Sequence, residues 1–238
     1  MTKVIQPISN AVETVQQEAA GLVRLVKPRL RGWLHLGMVP LTLAAAIVMI
    51  VLAPSGKPRI GAIVFGVTAL LLFTTSAIYH RGTWGPRAGG MLKRMDHSNI
   101  FLIIAGTYTP FALMLLPRAQ ATTLLVIVWS GAIGGVLFRT LWVGAPRWLY
   151  TPIYVALGWV AVFYFVPMMH SGGVVVVTLI AAGGLLYTVG ALVYGIKRPN
   201  PSPRWFGFHE VFHAFTVLAF AAHYTAASLA IYTHPGVA

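Results

Sequence analysis

Residues 34–53 read LHLGMVPLTLAAAIVMIVLA, twenty positions without one carboxylate, ammonium or guanidinium. A helix of that length spans about 30 Å, the thickness of a bilayer's hydrocarbon core. The stretch therefore reads as a transmembrane helix. It lies behind a polar arm and is long enough to cross, so it is not expected to be a cleavable signal. Six further stretches share its character: 60–80, 97–116, 121–143, 149–168, 173–195 and 206–232. Proline, glycine and basic residues punctuate the gaps, as in Ala53-Pro-Ser-Gly-Lys57 and Pro199-Asn-Pro-Ser-Pro203. The expected fold is all-α, a seven-transmembrane helix bundle over 34–232, preceded by an arm at 1–33 and followed by a tail at 233–238. A β-barrel needs segments of about ten residues alternating apolar and polar, and none is present.

Composition agrees. Of 238 residues, 58% are hydrophobic and 9% charged, against roughly 45–50% and 25% in a soluble domain. Too little polar material exists to cover a soluble globule. The 17 bases and 4 acids give a net charge of +13. In a soluble protein that excess points to nucleic acid; here it reads as loops facing anionic lipid, so the expected partners are membrane lipids, not nucleic acid. The expected location is the plasma membrane, as a multi-pass protein. The chain has no cysteine, which excludes disulfides, thiolate metal sites and cysteine nucleophiles.

The bases also set direction. Fourteen of the 17 fall in the arm and in the second, fourth and sixth loops; Lys57, Arg59 and Arg118 fall on the opposite side. By the positive-inside rule the N-terminus is cytoplasmic and the C-terminus outside. An even number of spans would break the alternation. Within the arm, Ile5, Ile8, Val12, Val15, Ala19, Leu22 and Val26 recur at steps of three and four, the spacing of an in-plane amphipathic helix.

Only two acids lie outside the arm, Asp96 and Glu210. Ionisable groups in or beside a span mark function, because desolvating them costs free energy. The alternation of spans brings Ser76 and His80, Asp96 and His97, and His209, Glu210 and His213 to one depth near the cytoplasmic leaflet. His209 and His213 are i and i+4, one above the other on a helix face, as are Ser76 and His80. Three neutral imidazoles, His80, His209 and His213, plus a water form the open tetrahedral site of a catalytic zinc, and Asp96 is placed to accept a proton from that water. His35 and His97 are read as non-ligands. His223 lies about 15 Å beyond His213 along its helix and cannot share the ion.

His209-Glu-Val-Phe-His213 also fits the H-E-x-x-H pattern of zinc proteases, in which the glutamate is the general base. That reading needs a third ligand, and no acid follows Glu210. A retinal protein needs a lysine within a span, and all five lysines lie in loops or the arm.

Four stretches, Ser76-Ala-Ile-Tyr-His80, Asp96-His-Ser-Asn-Ile-Phe101, Ala105-Gly-Thr-Tyr-Thr-Pro110 and His209-Glu-Val-Phe-His213, together resemble the hemolysin III family, the bacterial branch of the progestin and adipoQ receptor superfamily. The resemblance runs from about Arg24 to Tyr232. It implies a seven-helix bundle with a cytoplasmic N-terminus, and zinc on His80, His209 and His213 with Asp96 and Ser76 beside it. The related alkaline ceramidases use such a serine, aspartate and three-histidine set to hydrolyse a lipid amide, and adiponectin receptors are linked to the same reaction. The glutamate between the paired histidines varies to glutamine in the superfamily, so Glu210 is not an obligatory base. The family's polar motif before the first span, with acid and asparagine, is basic here, Lys27-Pro-Arg-Leu-Arg-Gly-Trp-Leu-His35, with His35 aligned to that motif's histidine.

The functional expectation is a zinc-binding membrane protein that hydrolyses a lipid amide or ester at the cytoplasmic side, with Asp96 as base and Ser76 beside zinc at the oxyanion. The alternatives are a sensor, receptor or membrane-homeostasis protein stapled by a structural zinc, and a membrane-perturbing hemolysin.

Overall fold

The computed structural model describes residues 27–142 and 144–233. Among them no strand forms, and the helices are α1 (Trp33–Leu52), α2 (Lys57–Arg81), α3 (Pro86–Leu115), α4 (Arg118–Leu141), α5 (Arg147–Trp159), a 3₁₀ turn (Val160–Tyr164), α6 (Phe165–Ile196) and α7 (Phe208–Thr233). Six helical segments are long and apolar enough to cross a membrane, with Arg147–Ile196 counted as one. The amphipathic helix expected in the arm lies outside the described residues.

Arg147–Ile196 is not one straight rod. Fifty helical residues would extend about 75 Å, yet its two ends touch. The Arg147 guanidinium lies 4.5 Å from the Tyr194 ring centre, and the Trp159 indole N–H donates to Thr188 Oγ1 at 3.0 Å. The chain doubles back at Gly173, the single non-helical residue of α6, with φ 75° and ψ 172°. That conformation is open to glycine and strained for any other residue. The sequence placed a gap at 169–172; the reversal instead needs one residue.

The third helix starts at Pro86, eleven residues before the expected 97. Proline in the first turn sacrifices no hydrogen bond. The polar turns between Arg87 and Asp96 are then helical without being apolar, so hydropathy alone misses them. α3 is the most enclosed helix, packed between α2 and α4, while α7 lies against α6, α1 and α3. In hydrocarbon every hydroxyl needs a partner. Thr68, Thr107, Thr109 and Thr216 each return theirs to a carbonyl one turn back.

Large apolar side chains face outward all along the bundle, among them Leu41, Val51, Ile133, Val166 and Leu192. In water such a surface would aggregate; in a bilayer it is solvated by acyl chains. One end carries five exposed tryptophans, Trp33, Trp84, Trp142, Trp148 and Trp205, at the start or end of successive helices. Indoles favour the headgroup level, so that end marks a membrane–water interface. It is also the end that holds the histidine cluster.

Candidate metal centre and its cavity

His80 sits in the last turn of α2, and His209 and His213 in the first turns of α7. One ring nitrogen from each lies within 4.8 Å of the others. His80 Nε2 and His209 Nε2 are 3.2 Å apart. Two nitrogens at about 2.0–2.1 Å from one tetrahedral ion are separated by about 3.3 Å, so the pair already stands at ligand spacing. Thus the three helix-end histidines expected to converge do so.

Asp96 joins them from α3. Its Oδ2 is 3.7 Å from His80 Nε2 and 3.9 Å from His97 Nδ1, and the Ser76 hydroxyl is its neighbour. His97 is held elsewhere. Its Nδ1 donates to the Lys93 carbonyl at 2.7 Å, which leaves Nε2 to accept from the Tyr194 hydroxyl at 3.3 Å. Both ring nitrogens thus have partners within the protein, and His97 stands outside the three-imidazole group.

Glu210 does not face the metal centre. Its Oε1 pairs with Arg31, and its Oε2 accepts the Gly207 N–H at 2.8 Å. The glutamate of the H-E-x-x-H pattern is a clasp between the segment before α1 and the start of α7, and the protease reading loses its base.

That clasp belongs to a cover over the histidines. Arg29 N–H donates to the Arg204 carbonyl and Leu30 N–H to the Trp205 carbonyl, at 3.0 and 3.1 Å. The Arg29 guanidinium lies over Trp205, and Arg81 over Trp33. Gly32, at φ 81°, passes so close that an added Cβ would stand 2.7 Å from His80 Cβ. Outside the spans, Lys27 shares this surface with Arg31 and Arg81. Partial desolvation, and then those two charges, hold its ammonium below the ordinary lysine range.

Behind the histidines runs a cavity of about 230 Å³. His35, Ser76, Asp96, His97, His209 and His213 line its polar end; Ile104, Phe111, Met168 and Ile180 line the remainder. Trp159, Val162 and Leu185 line it and are also exposed on the lipid-facing side. The cavity's wall between α5 and α6 is therefore formed by side chains that also face outward. Deep within it His223 Nε2 donates to the Ile180 carbonyl, 3.1 Å away, too remote to join the triad, as its ten-residue offset indicated.

Sequence reasoning undervalued His35. Its ring stacks on His213, centres 3.8 Å apart and 9° from parallel, and both of its nitrogens are buried without a partner. The only signal in the sequence was its alignment with the histidine of the motif before the first span.

A family model described as haemolysin-III related matches residues 23–224. The chain belongs to the haemolysin III family. It is 37% identical over 159 residues to the hemolysin-3 homolog of Bacillus subtilis (strain 168), covering 67% of this chain and 71% of the relative. It is 30% identical over 177 residues to hemolysin-3 of Bacillus cereus, covering 73% and 80%. A more distant match, 23% over 184 residues, is the human monocyte to macrophage differentiation factor, covering 74% of this chain and 73% of that protein. Family membership and the apolar helices together make this haemolysin III protein a multi-pass membrane protein.

Proposed function

We propose that this haemolysin III protein crosses the membrane seven times, with its histidine cluster at the cytoplasmic face and its C-terminus outside, and hydrolyses an amide or ester bond of a membrane lipid with zinc held by His80, His209 and His213. The observation that carries the reading is that two imidazoles of the three-histidine group, His209 and His213, and the Asp96 carboxylate, which has no arginine or lysine ion pair among the described residues, line the polar end of a cavity whose remaining walls are apolar. The seven-span count is supported by the reversal at Gly173, which turns Arg147–Ile196 into two antiparallel arms. The orientation is supported by the bases and tryptophans gathered at one end.

The donor set suits zinc: three neutral nitrogens, no thiolate, and room on the cavity side. When bound, zinc supplies a Lewis acid that polarises a carbonyl and makes water acidic near neutral pH. The remaining work falls to the chain. Asp96, 3.7 Å from His80 Nε2, takes the proton from the attacking water and returns it to the departing amine or alkoxide. Ser76 donates its hydroxyl to the carbonyl oxygen as negative charge develops there. The apolar walls seat the acyl chain and exclude bulk water from the reacting bond.

The test is lipid mass spectrometry on purified protein in nanodiscs, with and without a zinc chelator. A lipid amide or ester consumed by untreated protein, preserved under chelation and consumed again on zinc addition is the expected result. No zinc-dependent change across ceramides, acyl amides and esters would leave the histidines as a staple between α2 and α7.

A further inference from the structure

The last turn of α4 and the first turns of α5 hold a second polar cluster that the metal centre does not use. Arg139 is 1% exposed, the largest of the sealed side chains. Its Nε and Nη1 are buried without a hydrogen-bond partner. The guanidinium lies 4.4 Å from the Tyr150 ring centre. Arg147 repeats the arrangement over Tyr194 at 4.5 Å, and its Nη1 is likewise buried and unpartnered. The two rings are joined by their hydroxyls, 3.1 Å apart. Two guanidiniums thus stand on one linked aromatic pair.

Neither has a counter-charge among the described residues. The chain has four acids. Glu13 and Glu18 lie in the arm, outside the described residues. Glu210 is taken by Arg31, and the cationic neighbours of Asp96 are His80 and His97. An aromatic face offsets part of a guanidinium's desolvation but satisfies none of the donors on its edge. A buried charge left unpaired destabilises a fold, and in membrane proteins such costly groups mark functional sites. The planar fork of arginine matches the oxygens of a phosphate two at a time. Trp142 and Trp148, between and beside the two arginines in sequence, are both exposed, which puts the cluster at the depth of lipid headgroups.

We infer that Arg139 and Arg147 form a binding site for a phosphate oxyanion, brought either by the headgroup of an anionic lipid or by free phosphate. The site lies one ring away from the metal centre, since Tyr194 also contacts His97, but it does not depend on zinc or on hydrolysis.

The test measures thermal stability of the full chain under two conditions. One titrates inorganic phosphate against chloride at fixed ionic strength in detergent. The other compares nanodiscs of phosphatidylcholine with and without phosphatidylglycerol. Wild type should gain stability with the anion in at least one arm. A gain in the first identifies free phosphate as sufficient; a gain confined to the second identifies the headgroup. Arg139→Met should weaken the response roughly 10- to 100-fold, the worth of charge-assisted hydrogen bonds. Without anion it should be as stable as wild type or more so, because an unpaired cation has been removed. Arg139→Lys, which keeps the charge, should retain part of the response and covers the case in which the methionine variant misfolds. No anion response in wild type overturns the inference. So does an equal response in wild type and Arg139→Met, or a loss of stability in Arg139→Met that is the same with and without anion.

Discussion

Removing Arg31 should destabilise this protein far more than removing the charge it holds. Glu210 is 1% exposed and Arg31 18%, so the pair is largely desolvated. Arg31→Met leaves a buried carboxylate with one partner, the Gly207 N–H at 2.8 Å. Stranding one member of a buried ion pair costs about 3–5 kcal/mol; the residual exposure of Arg31 puts the expected loss near about 3 kcal/mol. Glu210→Gln removes the charge but keeps an acceptor for Gly207 N–H, and should lose about 1 kcal/mol. In Arg31→Met/Glu210→Gln the stranded charge is gone, so the double variant should recover at least about 1 kcal/mol over Arg31→Met alone, a coupling typical of residues in contact. The assay is denaturant unfolding in one detergent for all four proteins, with zinc content measured in parallel, because the clasp fixes the turn that carries His209. Additive losses, or an Arg31→Met variant as stable as wild type, would refute the reasoning and reduce the pair to a surface contact.

Four further outcomes are expected. Purified protein should hold about one zinc per chain, and His80→Ala, His209→Ala and His213→Ala should each lose it by elemental analysis; full occupancy in all three would end the metal assignment. Asp96→Asn should fold, keep zinc and lose hydrolysis by about 10²–10⁴, the usual worth of a positioned base, whereas unchanged turnover would remove Asp96 from the mechanism. A reporter fused after Ala238 should read outside and one inserted between Arg81 and Arg94 inside; an inside reading at the C-terminus would sink the seven-span count. Gly173→Val should cost at least about 1–2 kcal/mol in unfolding, since φ 75° is strained for a β-branched residue; an unaffected variant would show that the reversal does not need that conformation.

What the sequence made legible is what short range decides. Twenty apolar residues must lie in a bilayer whatever their neighbours do, so the helices could be read directly. The i, i+4 spacing of His209 and His213 fixes both rings on one face before any tertiary contact forms. Alternating spans then bring His80 and Asp96 to the same depth, and the observed 3.2 and 3.7 Å separations are what that convergence requires. Hydropathy failed where helix and membrane cease to coincide. Residues 86–96 are helical but polar, and the turn at Gly173 is one residue long inside an apolar run.

The remaining gaps concern partners distant in sequence. Glu210 stands between two histidines of the candidate metal centre and by pattern resembles a catalytic base; one helical position of about 100° turns it out of the cavity, and only Arg31, 179 residues earlier, explains why a carboxylate is buried there. His35 is a histidine in the first turn of α1 with no companion on its own helix, and its stacking partner is His213, near the other end of the chain. Arg139 carries the same lesson furthest. At a helix end a basic residue is ordinarily a solvated topology signal, and Arg139 was counted as one. Its burial against Tyr150 follows from how α4 and α5 meet, which no local pattern encodes. A charge that is enclosed with no acid beside it among the described residues is retained at a free-energy cost to the fold. No acid among the described residues balances it, and a bound oxyanion would.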